Sequence, residues 1–342
     1  EYTFEAVDFG SVYHGVLELF ERSLKEDGIS LRTLTEEEME QRLWDAFSVF
    51  TKEYGETILY SSARNERRIR QMHRLLLRSV RTMQYQMQKG SFEPTYFEQK
   101  FRMKGAFPLI GKIDRIDIRR EDDAIYLKVM DYKSGRKEFS LDDVYYGLSM
   151  QLPVYMNAAV SFLQERYPQT TIIPAAMLYY RLQKPIIEIE GTKAEEEIEA
   201  EIRKQMKPDG LLLGEDCVLT MLDQGFTTDS DVMRVGRKKD GSFKAASQVI
   251  SQEDLGLLLS YTQKKAEQMM QQMAEGEIAV TPLKTGNHTS CDFCEYREVC
   301  RMDERIDGYR LQELTPLTDE ERKEAMERAV YGGSEEGHRD EK

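Results

Sequence analysis

Val129-Met130-Asp131-Tyr132-Lys133-Ser134-Gly135 decides how this chain is read, together with Gly111-Lys112-Ile113-Asp114-Arg115, whose aspartate lies seventeen residues before Asp131. A carboxylate that closes an apolar run, with a lysine two residues on, is a poor element of a hydrophobic core. It is a good way to hold a divalent cation beside a phosphodiester. Side chains alternate across a strand, so Asp131 and Lys133 point the same way, their Cα atoms about 7 Å apart. With a second carboxylate nearby, the set supplies metal ligands and a charge able to orient water. This D…(D/E)-x-K arrangement makes the chain a nuclease candidate.

Outward from that stretch the pattern is one of strands. Residues 95–103, 109–119 and 124–133 read as three in succession. In the middle one Ile110, Asp114, Ile116 and Ile118 share a face, so Asp114 sits among isoleucines, where an ionised carboxylate is costly unless paired or metal-bound. Asp117 lies on the opposite face and is expected to be solvated. Residues 125–130 are apolar on both faces, as near the centre of a sheet. Before the strands come three helices. The first carries Val12, Val16, Leu19, Phe20 and Leu24; the second opens at the capping box Thr35-x-x-Glu38; the third is Arg-rich and spans roughly 60–88. After them, residues 142–167 read as one helix that tolerates Pro153, and 171–189 as one or two strands. A charged helix and an elaborated, Gly-containing insertion follow to about 250, then a helix at 252–275. Thr318-x-x-Glu321 caps a last charged helix, and 332–342 is expected to be disordered.

The composition suits a globular protein, with 40% hydrophobic and 32% charged residues, and no apolar run approaches the ~20 residues of a membrane span. The first residues form no signal peptide, so the chain reads as a cytoplasmic piece of something longer. A net charge of −14 argues against tight, autonomous nucleic-acid binding. Locally, Arg70, Arg74, Arg78 and Arg81 recur at helical spacing, either as a solvated or partner-facing helix face or as a surface that tracks a DNA backbone. No G-x4-G-K-[ST] occurs, so this chain alone should not hydrolyse ATP.

Other residues are weaker signals taken singly. His14, early in the first helix, reads as an ordinary structural histidine. Gln151 and Tyr155 are four apart and share a helix face, as a buried amide and a packing aromatic would. Cys291-x2-Cys294-x5-Cys300 is more pointed: thiolates so spaced bind zinc or an iron–sulfur cluster, and a reducing compartment disfavours disulfides. Both groups want four ligands. Cys217 is the remaining thiol and His288 a possible nitrogen ligand, but Cys217 is flanked by apolar residues and reads as a small buried hydrophobe.

Taken in order, His14, the G-x-x-D of Gly111–Asp114, the Asp131–Gly135 box, Gln151-x3-Tyr155 and the cysteine triplet resemble the RecB-like branch of the PD-(D/E)XK nucleases, and within it the C-terminal nuclease domain of AddB-type helicase/nuclease proteins. The resemblance covers nearly the whole chain, with Ile113-Asp114 standing where the superfamily's name has Pro-Asp. It implies an α/β restriction-endonuclease-like core, a mixed sheet flanked by helices, with a helical N-terminal segment and a C-terminal Cys-rich staple. The nuclease domain would then run to about residue 314. Residues 1–90 would be its helical segment, 91–190 its catalytic core, 191–250 an insertion and 251–314 a helix plus the cysteines.

The resemblance further implies that His14, Asp114 and Asp131 bind Mg²⁺ together with the Tyr132 carbonyl. Lys133 would position or activate water, Gln151 would orient the site, and Tyr155 would lie against DNA. The triplet would join a fourth cysteine, upstream of this chain, around a 4Fe–4S cluster; Cys217 would not be that ligand, and this stretch alone would hold the cluster incompletely or not at all. The implied activity is exonucleolytic DNA hydrolysis during double-strand-break repair, alongside an AddA-like helicase/nuclease subunit. Two rivals remain at this point: a catalytically idle scaffold for DNA or a helicase, and a stand-alone, Cas4-like exonuclease.

Overall fold

A computed structural model describes residues 6–54, 60, 62–103, 108–135, 137–182, 185, 194–286, 288–292, 294–303, 305–306 and 311–332. Two compact units divide the chain. The first comprises Glu1–Arg102, Ile110–Phe139 and Gln151–Leu255; the second comprises Met103–Leu109, Ser140–Met150 and Gly256–Lys342.

The first unit opens with three helices, α1 (Ala6–Glu26), α2 (Glu36–Glu53) and α3 (Ala63–Lys89). Val12, Val16, Phe20 and Leu24 recur at helical spacing and are buried, which turns one face of α1 into core. At the start of α2 the Thr35 hydroxyl accepts the Glu38 backbone N–H while the Glu38 carboxylate accepts the Thr35 backbone N–H. Those bonds occupy N–H groups that the first helical turn leaves unpaired, and they hold the Glu38 carboxyl below its ordinary pKa.

Three strands follow: β1 (Glu93–Met103), β2 (Leu109–Arg120) and β3 (Ala124–Lys133). Then come α4 (Leu141–Tyr146), α5 (Gln151–Arg166), β4 (Thr171–Arg181), α6 (Glu195–Gln205), β5 (Asp209–Leu213), α7 (Asp216–Leu222) and β6 (Val249–Ile250). The six strands make one sheet in the order β1-β2-β3-β4-β5-β6. β2 and β3 are antiparallel, β3 and β4 parallel, β4 and β5 antiparallel, β5 and β6 parallel, so the sheet is mixed. Val129, Met130, Met177 and Leu178 are buried at its centre, which is why β3 and β4 are apolar on both faces.

The second unit holds α4 and nearly all of α8 (Gln252–Ala274). It also holds a three-stranded sheet of β7 (Leu283–Thr285), β8 (His288–Thr289) and β9 (Gln312–Glu313), with α9 (Arg297–Cys300) and α10 (Asp319–Tyr331). Inside it Arg322 of α10 donates to Asp142 of α4 at 2.9 Å, and Tyr261 of α8 donates to the Tyr145 carbonyl at 2.7 Å. Among the described residues no helix is long and apolar enough to cross a membrane.

Four sequence expectations change. The helix expected over 142–167 is two helices. Gly147 ends α4 at φ 80°, a left-handed cap that suits glycine, and α5 restarts at Gln151. Pro153 therefore falls in a first turn, where its missing N–H costs nothing. Asp117 is not solvated but fully buried, because Arg115 and Lys128 close on it. Ile110 does not join the isoleucines around Asp114 and stays 68% exposed. Two strands of the large sheet, β5 and β6, come from the stretch read as an insertion; Gly210–Leu213 is an apolar run wholly buried beside β4. The disorder expected beyond Gly332, and a second strand expected within 183–189 (Pro185 aside), lie outside the described residues.

Candidate active site

Four elements of the first unit deliver side chains to one cavity of about 920 Å³. They are His14 from α1, Glu98 from β1, Asp114 from β2, and Asp131 with Lys133 from β3. Gln151 and Tyr155 from the first turn and a half of α5 complete the wall. Antiparallel pairing of β2 with β3 sets Arg115 across from Met130, so Asp114 and Asp131 fall at the next position of the same ladder. Alternation then aims both into the cavity, with Lys133 beside them. The glycine of the G-x-x-D box has a plain reason: a Cβ at Gly111 would come within 2.7 Å of the Phe101 ring.

His14 Nδ1 lies 3.3 Å from Asp114 Oδ2, which also accepts the Tyr132 backbone N–H at 2.7 Å. His14, Glu98 and Asp114 each offer a ligand atom within 4.8 Å of the other two, the one such His/Cys/Asp/Glu group among the described residues. Lys133 Nζ stands 2.6 Å from Asp131 Oδ2 and donates to Gln151 Oε1 at 2.7 Å. The Gln151 amide in turn donates to the Tyr155 hydroxyl at 2.9 Å. A lysine on one side and a hydroxyl on the other thus orient that amide.

Lys100, Lys112 and Lys133 line the cavity with the three carboxylates, and the acids feel one another across it. Burial and the neighbouring Asp114 push the Asp131 carboxyl up to about 6, against the opposing pull of Lys133. Burial raises Glu98 too, an effect that its ion pair with Lys112 only partly reverses. Burial alone would lower His14, but the hydrogen bond and charge of Asp114, with Asp131 and Glu98 behind, raise it. Asp131 Oδ2 and Glu98 Oε2 are buried with no hydrogen-bond partner; the lysine that faces each is close but not in hydrogen-bond geometry. Three carboxylates and a histidine on one cavity, three of the four with ligand atoms close enough to share one ion, fit a hard divalent cation.

Glu98 escaped the sequence reading. It stands in Tyr96-Phe97-Glu98-Gln99-Lys100-Phe101, where an acid reads as the solvent side of an alternating strand. Its backbone is at φ 48°, an uncommon value for a non-glycine residue and one that clusters at functional sites.

Behind the site lies a second buried charge set, also unforeseen. Arg115 donates to Asp117 Oδ1 at 2.6 Å and to Glu21 Oε1 at 2.6 Å, while Lys128 pairs with Asp117 at 2.7 Å. Tyr132 donates its hydroxyl to the same Glu21 oxygen at 2.9 Å. The residue whose N–H fixes Asp114 is therefore itself held by the network.

Other expected site residues lie elsewhere. Arg70, Arg74 and Arg78 are on α3 and do not line the cavity; Arg70 faces Glu66 at 3.7 Å and Arg78 faces Glu199 at 3.8 Å. Cys217 is exposed rather than buried, because the second position of α7 turns it outward, next to the Tyr126 hydroxyl. Cys291, Cys294 and Cys300 belong to the second unit, joined locally by the Cys294 N–H on the Cys291 carbonyl at 3.3 Å. Their sulfurs do not gather within 4.8 Å of one another, so as they stand they form no site for a single metal ion. The side chain of His288 lies outside the described residues.

A mixed sheet with carboxylates and a lysine converging on the β2–β3 ladder is the arrangement of metal-dependent nucleases, and the comparison with known proteins agrees. The chain belongs to the PD-(D/E)XK nuclease superfamily, whose sequence pattern matches residues 1–301. Among its curated relatives is the B subunit of the ATP-dependent helicase/deoxyribonuclease of Lachnoclostridium phytofermentans, 34% identical over 331 residues, a match that covers 94% of this chain and 28% of that protein. Proteins of the same description from Clostridium kluyveri and Clostridioides difficile are each 32% identical, over 334 and 338 residues, covering 94% of this chain and 29% of theirs. The chain thus spans under a third of the length of these relatives.

Proposed function

We propose that this chain is a Mg²⁺-dependent deoxyribonuclease that hydrolyses phosphodiesters of single-stranded DNA. It acts as an exonuclease within a helicase–nuclease complex of double-strand-break repair, beside an AddA-like subunit. The observation that carries the reading is the convergence of His14, Glu98, Asp114, Asp131 and Lys133 on one cavity, with ligand atoms of the first three within 4.8 Å of one another. His14, Asp114, Asp131 and the Tyr132 carbonyl would hold the cation, with Glu98 at the same cluster. When bound, the cation supplies Lewis-acid charge to the phosphate and makes water easier to deprotonate.

The chain's own groups do the rest. Lys133, held between Asp131 and Gln151, places its ammonium where it can orient the attacking water and steady the charge that grows on the phosphate. Gln151 fixes that ammonium, and Tyr155, fixed by Gln151, lies against the strand. Arg70, Arg74 and Arg78 add a weaker, partly neutralised attraction for the backbone. In the intact protein the three cysteines supply part of a 4Fe–4S ligand set that is completed from outside the triplet.

The test is degradation of end-labelled single-stranded DNA with Mg²⁺, by the parent and by Asp131→Ala and Lys133→Ala. Loss of product in both variants alone supports the enzyme. Equal background in all three supports an idle scaffold.

A further inference from the structure

Away from the cation site, one surface of the first unit gathers three rings and three cations. Tyr96 of β1 and Phe162 of α5 meet edge to face, centroids 5.0 Å apart. Lys25 Nζ lies 5.4 Å and the Arg166 guanidinium 6.0 Å from the centre of the Tyr96 ring. Arg120, at the end of β2, covers the Tyr167 ring at 4.6 Å and donates to its hydroxyl at 2.7 Å. The three cations are exposed and the three rings half-buried.

The charge of the patch is not cancelled by ion pairs. Among the described residues Lys25, Arg120 and Arg166 have no ion pair, whereas Arg70, Arg78 and Arg81 of α3 each face a glutamate. Guanidinium groups over rings stay poised for an anion, and the half-buried rings keep part of their surface exposed to a flat partner.

The patch also continues from the active site. Tyr96 is two residues, about 7 Å of strand, from Glu98. Phe162 is two helical turns, about 10 Å, beyond Tyr155. Phe101 meets Tyr155 at 5.7 Å, as Tyr96 meets Phe162, so β1 and α5 run side by side from the cavity to the patch. At roughly 3.4 Å per nucleotide of stacked strand, that distance is about three nucleotides.

We infer that Tyr96, Phe162 and Tyr167, with Lys25, Arg120 and Arg166, bind the stretch of single-stranded DNA about three nucleotides from the bond being cut. Exposed bases stack on the rings and phosphates meet the cations, a combination that tolerates any sequence. A duplex hides its base faces, so the patch selects single strands. The inference rests on the nuclease reading for the strand's purpose, but not for its binding.

Fluorescence anisotropy with a labelled oligothymidylate in EDTA tests it, comparing the parent chain with Arg120→Ala/Arg166→Ala and with Phe162→Ala. Loss of two phosphate contacts should flatten the dependence of log K on log salt by about 1.4 and weaken binding about tenfold. Phe162→Ala should weaken single-strand binding by about tenfold and leave duplex binding unchanged. A parent that binds no single strand, or variants that match it in affinity and salt slope, overturn the inference. A parent that cleaves in Mg²⁺ while its binding ignores these substitutions sinks the patch alone. A parent that binds through the patch but never cleaves sinks the nuclease reading alone.

Discussion

β2 buries charge on both of its faces, and the two faces treat it differently. On one, Arg115 and Lys128 meet Glu21 and Asp117, two cations for two anions, each in contact. On the other, Glu98, Asp114 and Asp131 share an open cavity with His14 and three lysines, and Glu98, Asp114 and His14 bring ligand atoms within 4.8 Å of one another. Buried charges that close on one another are architecture; carboxylates that converge with a histidine on an open cavity leave room for a cation the chain does not itself provide. Nothing in burial alone separates the two, since Asp117 and Asp131 are both about fully buried. The partners decide.

Substitutions on the two faces should therefore fail in opposite ways. Lys133→Ala or Asp131→Asn should lower nuclease turnover by about 10³-fold or more, on the scale of a lost general base or charge stabiliser. Asp131→Asn should at the same time leave thermal stability equal or higher, because it removes the repulsion from Asp114. A melting temperature that falls with activity would place Asp131 with the architecture instead.

Arg115→Met should do the reverse. It leaves Glu21 buried without a cation and Asp117 with Lys128 alone, at a cost of about 3–5 kcal/mol in a chemical denaturation series. Activity per folded molecule should fall less than stability does. A variant as stable as the parent would mean the network contributes little.

A smaller effect concerns pH. Asp131 titrates near 6 when folded, above its ordinary value of 3.8, so the folded protein holds an extra proton between the two. Stability is then lost as pH rises through that window, and a cation that neutralises the ionised carboxylate restores it. Added Mg²⁺ should raise the melting temperature by a few degrees at about pH 8 and by less at about pH 5, where a proton competes. An equal rise at both would remove Asp131 from the cation site. Smallest of all, Arg70→Ala/Arg78→Ala should change DNA affinity less than the Arg120/Arg166 pair, since each already has a glutamate.

How much of this was legible depended on range. Asp131 and Lys133 announce themselves through a period of two within one strand, and Asp114 through a short step along the chain to the neighbouring strand. The capping boxes at Thr35 and Thr318 are equally local and form as read. Asp117 misleads because its partners are fixed across the fold: Lys128 reaches it from β3, and Arg115 is held by Glu21, 94 residues away on α1. Glu98 hides because an acid in an alternating strand reads as solvent-facing, and its φ of 48° leaves no trace in sequence. β5 was missed because five residues are too few to declare a period, while its burial comes from β4 and β6 on either side.

The central claim is that the carboxylates on one face of β2 and β3 make a single cation site, and direct metal binding tests it best. Mn²⁺ titration followed by electron paramagnetic resonance, on the parent and on Asp114→Asn, Glu98→Gln and Arg115→Met, would decide. The account predicts one tight Mn²⁺ in the parent, weakened at least about tenfold by the first two substitutions and retained by whatever fraction of the third is folded. Binding that ignores Asp114 and Glu98 would contradict it.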